Sequence, residues 1–229
     1  MDINEVPIPD KYIPETTSFL GYENREIAGN MYKVAVFEIK NKDFIICERL
    51  ALGGKRSWID EKKPNPYNKG ICNTKEDIAE GFNRPKFTGA LGEMALAIFL
   101  DSFFNTEYKK NGDKGDFIFP DGTIIDVKNS VQLHSYNPLW FVTAKNEGDD
   151  YPLKSDIYVC GFLEDCERDD KFTKVVIVGF QYKDYVAERP IVPGKSKNAK
   201  HKNREIPIKA LYPIEELLDI YHYSYIGVL

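Results

Sequence analysis

Between Gly115 and Lys128 the chain reads Gly-Asp-Phe-Ile-Phe-Pro-Asp-Gly-Thr-Ile-Ile-Asp-Val-Lys, and the turn residues within it fix which side chains can meet. Pro120 suits the second position of a type I turn, Asp121 the third, and Gly122 the left-handed residue that closes a three-residue hairpin loop. That turn pairs Phe119 with Thr123 and, counting back, sets Asp116 opposite Asp126. A two-residue Asp-Gly loop would shift the register by one and send the two acids to opposite faces. In the Pro-led register they share a face, with Cβ atoms roughly 5 Å apart, and Lys128 follows two residues on along it. Like charges so placed are destabilising unless something cationic lies between them. Two carboxylates converging on one point are also what a hard divalent metal needs.

The helix preceding this hairpin carries one misplaced charge. Leu91, Met94, Ala95, Ile98 and Phe99 fall at the i, i+3, i+4, i+7, i+8 spacing of a buried face, within a helix predicted from Thr88 to about Phe104. Its other side offers Gly89, Leu96, Ala97, Leu100 and Phe104, so the helix is expected to be sandwiched in the core. Glu93 is the exception, with Gly89 and Ala97 nearby to allow close approach. A carboxylate there is costly unless it is paired or holds a metal. The plainer reading is that Glu93 favours the positive helix N-terminus, an effect under about 1 kcal/mol.

An acid two residues before a lysine is weak information by itself, since the chain contains it six times. Glu38-Ile39-Lys40 is the serious rival to Asp126-Val127-Lys128, because it too lies on a strand-like segment. Only the latter ends an apolar strand, faces a second acid and follows an acid-bearing helix. An exposed hairpin with a charged outer face is the bland alternative. Phe117, Ile118, Ile124, Ile125 and Val127 leave it little polar surface.

Around these elements the first thirty residues read as an irregular, proline-bearing arm. Met31–Glu38 and Asp43–Cys47 read as short strands, and 52–81 as loop. Further strands are predicted at Leu139–Thr143, Asp156–Phe162 and Lys174–Phe180. A Pro/Gly/Lys loop follows from Pro190 to about Arg204, then a closing helix from Ile214 to about Tyr221. Helix, hairpin, strands and helix in that order predict an α/β fold with a mixed central β-sheet flanked by helices. Residues 1–80 form a β-rich N-terminal extension packed on a core of residues 81–229.

Glu93 within Gly89–Ala95, then Gly115-Asp116, then Asp126-Val127-Lys128, resembles the PD-(D/E)XK nuclease superfamily, whose core is restriction-endonuclease-like. Asp156–Val159 and Val176–Phe180 are similar to the strands that complete that sheet. The resemblance covers roughly Thr88 to Phe180. It departs from the pattern at Gly115, where a proline commonly stands, and residues before Thr88 have no counterpart. It implies a metal-dependent deoxyribonuclease with Glu93, Asp116, Asp126 and Lys128 as catalytic residues. Asp116, Asp126 and the Val127 carbonyl would ligate Mg²⁺, or Mn²⁺ as a substitute, with Glu93 joining directly or through water. Lys128 would orient or help deprotonate the attacking water. Many such enzymes dimerise to cut two strands, so a homodimer is a further expectation.

A net charge of −5 argues against a general nucleic-acid coat protein but leaves room for a local basic patch. Lys195, Lys197, Lys200, Lys202 and Arg204 provide one, suited to a phosphate backbone or simply to solvent. Gln132 and Tyr136 fit a Q-x-x-x-Y pattern found in some exonucleases of the superfamily, which would make Gln132 a further nucleic-acid contact; ordinary loop polarity is the alternative, and Pro138 argues against a helix there. The four scattered cysteines show no metal-ligand spacing, and no signal-like or membrane-spanning run occurs. A cytoplasmic, intracellular protein is expected. Two rival readings are a non-catalytic nucleic-acid-binding or assembly module that kept the fold, and a metal-binding structural domain of unrelated fold.

Overall fold

The central sheet begins with strands from the N-terminal segment. A computed structural model of the chain describes residues 9–52, 82–106, 115–130, 139–146, 149–150, 152–168, 170–193 and 202–226. After a short β1 (Lys11–Tyr12), β2 (Ser18–Ile27) and β3 (Asn30–Lys40) form a hairpin that turns through Ala28 and Gly29, both at positive φ. Ser18–Ile27 is therefore strand, not irregular arm. Its largely exposed side chains lack the apolar alternation by which a half-buried strand is recognised.

Asp43–Cys47 is also not a strand. It lies inside α1 (Asn41–Ala51), whose Phe44, Ile45, Ile46, Cys47, Leu50 and Ala51 are all buried. A helix buried on every side reads as an unbroken apolar run, which periodicity cannot separate from a buried strand. Asp43 anchors the preceding chain to this helix. Its carboxylate accepts from the Tyr12 hydroxyl at 2.6 Å, the amides of Glu15, Thr16 and Thr17 at 2.7–3.0 Å, and the Thr17 hydroxyl.

The acid-bearing helix, α2 (Arg84–Phe99), starts earlier than Thr88 and ends before Phe104. Asn83 caps it by accepting the Lys86 amide at 3.1 Å, and Pro85 sits in the first turn. Then come β4 (Phe104–Asn105), β5 (Phe117–Ile118), β6 (Ile124–Ser130), β7 (Leu139–Asn146), β8 (Asp149–Asp150), β9 (Ile157–Glu167) and β10 (Phe172–Tyr182). The chain closes with α3 (Lys183–Glu188), β11 (Ile191–Pro193), β12 (Lys202–Pro207) and α4 (Glu215–Ile226). β11 and β12 occupy the two ends of the segment read as a loop after Pro190. The segment read as loop lies, from residue 53, outside the described residues.

Six strands in the order β2-β3-β10-β9-β6-β5 make the main sheet, in which β6 and β9 run parallel and the other pairs antiparallel. Alternation sorts each strand between two cores. Ala35, Phe37, Val127, Val159, Val175 and Ile177 pack beneath the helices, with Leu91 and Met94 of α2 and Leu217 of α4. Val34, Val36, Tyr158, Cys160, Val176 and Val178 face the other way, against Trp140, Val142 and Ile206 of a second sheet, β11-β12-β7-β8. The fold is thus mixed α/β, with helices on one side of the sheet and a small sheet on the other. No described helix is long and apolar enough to cross a membrane.

Candidate functional site

The hairpin forms the expected three-residue loop. Phe119 donates its amide to the Thr123 carbonyl at 2.9 Å, Gly122 donates to Phe119 at 2.9 Å, and Gly122 has φ 90°. Phe117 pairs with Ile125 and Ile118 with Ile124, the register that the turn residues dictate. Strand pairing stops at Phe117, however, so Asp116 is not the strand partner of Asp126. Its amide donates to the Ile125 carbonyl at 2.7 Å, and its carboxylate Oδ2 accepts the Val127 amide at 2.7 Å. The carboxylate thus continues the ladder where the backbone of β5 leaves it. Gly115 makes this departure possible at φ 154°. A Cβ there would fall 2.2 Å from Ile124 Cγ2 and 2.8 Å from the Ile125 carbonyl oxygen. Gly115, where the sequence resemblance would lead one to expect a proline, is a steric requirement of this backbone, which a proline, fixed near φ −65°, cannot adopt.

In an extended strand the N–H and C=O of one residue point to the same neighbour. The Val127 carbonyl therefore lies along the β5 edge of β6, the edge that Asp116 occupies. Asp126 and Lys128 project from the face that Tyr158 and Cys160 share, their register partners on β9. The Lys128 ammonium is ion-paired with Asp126 Oδ2. Neither is sealed from solvent: their side chains are 29% and 21% exposed.

Glu93 comes from the helical layer, buried on α2. Its close approach to the sheet is permitted by Gly92, not by Gly89, around which space is open. A Cβ on Gly92 would lie 2.8 Å from Asn129 Cβ and 3.0 Å from Val127 Cγ1. Electrostatics tie the four residues together. Burial raises the Asp116 carboxyl well above its ordinary pKa, and the charges of Glu93 and then Asp126 raise it further, against Lys128 and the Val127 amide. Burial pulls Lys128 down, but Asp126 and Asp116 outweigh it and leave the ammonium above its usual value. Tyr158 is pushed up to about 12 by burial and by Asp126. Cys160 is raised by burial, which keeps its thiol protonated.

Among the described residues, no three His, Cys, Asp or Glu side chains close around one point tightly enough to hold a metal as they stand. Asp126 is turned to Lys128 and Asp116 to the Val127 amide, each through its Oδ2 atom. The donor chemistry suits a small hard cation: Asp116 and the Val127 carbonyl at the edge of β6 and Asp126 on its face, with a repulsion between the acids that a cation would relieve. Comparison with known protein families, curated proteins and solved structures finds no match to this chain.

The rival Glu38–Lys40 is an ion pair at 2.7 Å on β3, where Glu38 stands across from Ser18 and Lys174. Lys202 and Arg204 lie on β12 in the small sheet, and Arg204 Nε donates to the Ala187 carbonyl at 3.4 Å. Gln132, Tyr136, Lys195, Lys197 and Lys200 lie outside the described residues. Sequence reasoning missed Asn129, which follows Lys128 and packs on Gly92. A polar residue next to Lys128, within the same strand, was its only signal.

Proposed function

We propose that this chain is a divalent-metal-dependent nuclease with a restriction-endonuclease-like core, cleaving phosphodiester bonds in DNA at the site of Glu93, Asp116, Asp126 and Lys128. The observation that carries the reading is the placement of Asp116 on the Val127 amide at the edge of β6, next to the Asp126–Lys128 ion pair, in reach of the charge of Glu93. Asp116, Asp126 and the Val127 carbonyl would hold Mg²⁺ or Mn²⁺, with Glu93 joining directly or through water. Such an ion, when bound, makes bound water acidic and polarises a phosphate.

The protein groups divide the remaining work. Val127 holds Asp116 in place through its amide, so one carboxylate oxygen is committed to orientation and the other is left for ligation. Lys128 stays cationic at neutral pH, which suits it to offset charge on the scissile phosphate rather than to serve as a neutral base. Glu93, drawn from the helix side, supplies a third acid from a second layer of the fold. Basic residues from Lys195 to Arg204 would follow the phosphate backbone.

Incubation of plasmid DNA with purified protein and Mg²⁺ tests this. Cleavage that is abolished by chelator and by Asp126→Ala supports it. No cleavage by the wild type, or undiminished cleavage by Asp126→Ala, favours a binding module that only shares the fold.

A further inference from the structure

We infer that Asn129 is a positioning residue that sets α2 against β6 so that Glu93 reaches the acids of the sheet; this rests on the metal site proposed above. Asn129 is wedged between two glycines. On one side Gly92 of α2 lies against its Cβ, with no room for even a methyl group. On the other, its register partner Gly161 on β9 could not carry a Cβ without meeting Asn129 Oδ1 at 3.0 Å and the Val176 carbonyl oxygen at 2.8 Å. Its Nδ2 donates to the Thr88 carbonyl of α2 at 3.0 Å.

Oδ1, by contrast, is buried with no hydrogen-bond partner among the described residues. A buried acceptor left unpaired costs stability, so the amide's own hydrogen bonding does not account for it fully. What the side chain does achieve is placement. One hydrogen bond fixes the height of α2 along β6, and the Gly92 contact fixes its distance. The residue after Gly92 is Glu93, and two residues before Asn129 is Val127, whose amide orients Asp116. Asn129 therefore joins the helix acid to the strand acids as the ligand-orienting partners around a metal do.

Mn²⁺ titration followed by calorimetry tests this in the full chain, on wild type, Asn129→Ser, Asn129→Ala, Glu93→Gln and the Asn129→Ser/Glu93→Gln double variant. Thermal melts establish which variants are folded, and Asn129→Ser keeps the most packing. The expected loss of Mn²⁺ affinity in Asn129→Ser is about tenfold, the lower end for removing a ligand-orienting partner. Adding Asn129→Ser to Glu93→Gln should cost less than about twofold more, because the two act on one ligand. A general structural defect would instead weaken both backgrounds alike. Full wild-type affinity in Asn129→Ser, or an equal loss in the Glu93→Gln background, overturns the positioning role. If wild type binds no Mn²⁺ at all, the metal site itself fails and this inference fails with it.

Discussion

Asp116 takes the backbone amide of Val127 on its carboxylate at 2.7 Å, so the acid at the sheet edge stands where the next residue of a strand would pair. Its charge is thereby fixed beside Glu93 and Asp126, and the protein carries that repulsion in its own fold.

A carboxyl whose folded pKa is raised favours the protonated form of the protein. Its ionisation penalty is absent below the unfolded pKa, near 3.9, and grows as pH rises towards the folded value. Urea denaturation in chelator should therefore show wild type losing stability relative to Asp116→Asn as pH rises from about 4 towards the raised pKa of Asp116. At neutral pH the Asn variant should be more stable by on the order of 1 kcal/mol. Parallel pH profiles would show that the Asp116 carboxyl is not raised in the folded protein.

Lys128 competes with any cation for Asp126. Lys128→Met should bind Mn²⁺ at least as tightly as wild type while cleaving DNA about 100-fold more slowly or worse. Because its pKa lies above the ordinary value, the stability and charge it contributes persist below about pH 10 and fade only as pH passes the folded pKa. A cleavage profile governed by a lysine titrating near neutrality would contradict this role, as would metal binding weakened as severely as by Asp126→Ala.

Gly115→Ala should destabilise the protein by about 1–3 kcal/mol, combining a left-handed backbone with overpacking against Ile124 and Ile125. Mn²⁺ affinity should fall as well, since the same backbone turn delivers Asp116. Denaturation and calorimetry on one preparation check both. Unchanged stability would mean that the turn relaxes freely.

Asp43 is the structural counterpart, a fully buried acid whose carboxylate ties residues 12–17 to α1. Asp43→Ala orphans the buried Tyr12 hydroxyl and four part-buried donors at once, so a loss of about 2–3 kcal/mol is expected on denaturation. The folded fraction should keep its Mn²⁺ affinity. A loss under about 1 kcal/mol would mean that water replaces the carboxylate without difficulty.

Local chemistry made part of this molecule legible from sequence. Pro120, Asp121 and Gly122 dictate a loop whose register follows by counting, and the apolar surround of Glu93 marks it as buried. Other features depend on tertiary context. The all-round burial of Phe44 to Cys47 erases the helical period of α1, and the solvent-facing side chains of β2 erase the strand period. The start of α2 was readable in Asn83-Arg84-Pro85, a cap followed by a first-turn proline. What no pattern conveys is the exit of the chain at Gly115, which moves Asp116 from a facing position to the strand edge, or the Gly92–Asn129–Gly161 contact, which joins three segments far apart in sequence.

Diffraction from crystals grown with Mn²⁺, recorded at an energy where manganese scatters anomalously, tests the central claim most directly. An anomalous peak between the carboxylates of Asp116 and Asp126, with the Val127 carbonyl in reach and Lys128 displaced from Asp126, is the expected result. An occupied Mn²⁺ site elsewhere, or none at saturating Mn²⁺ with the Lys128–Asp126 pair intact, would contradict it.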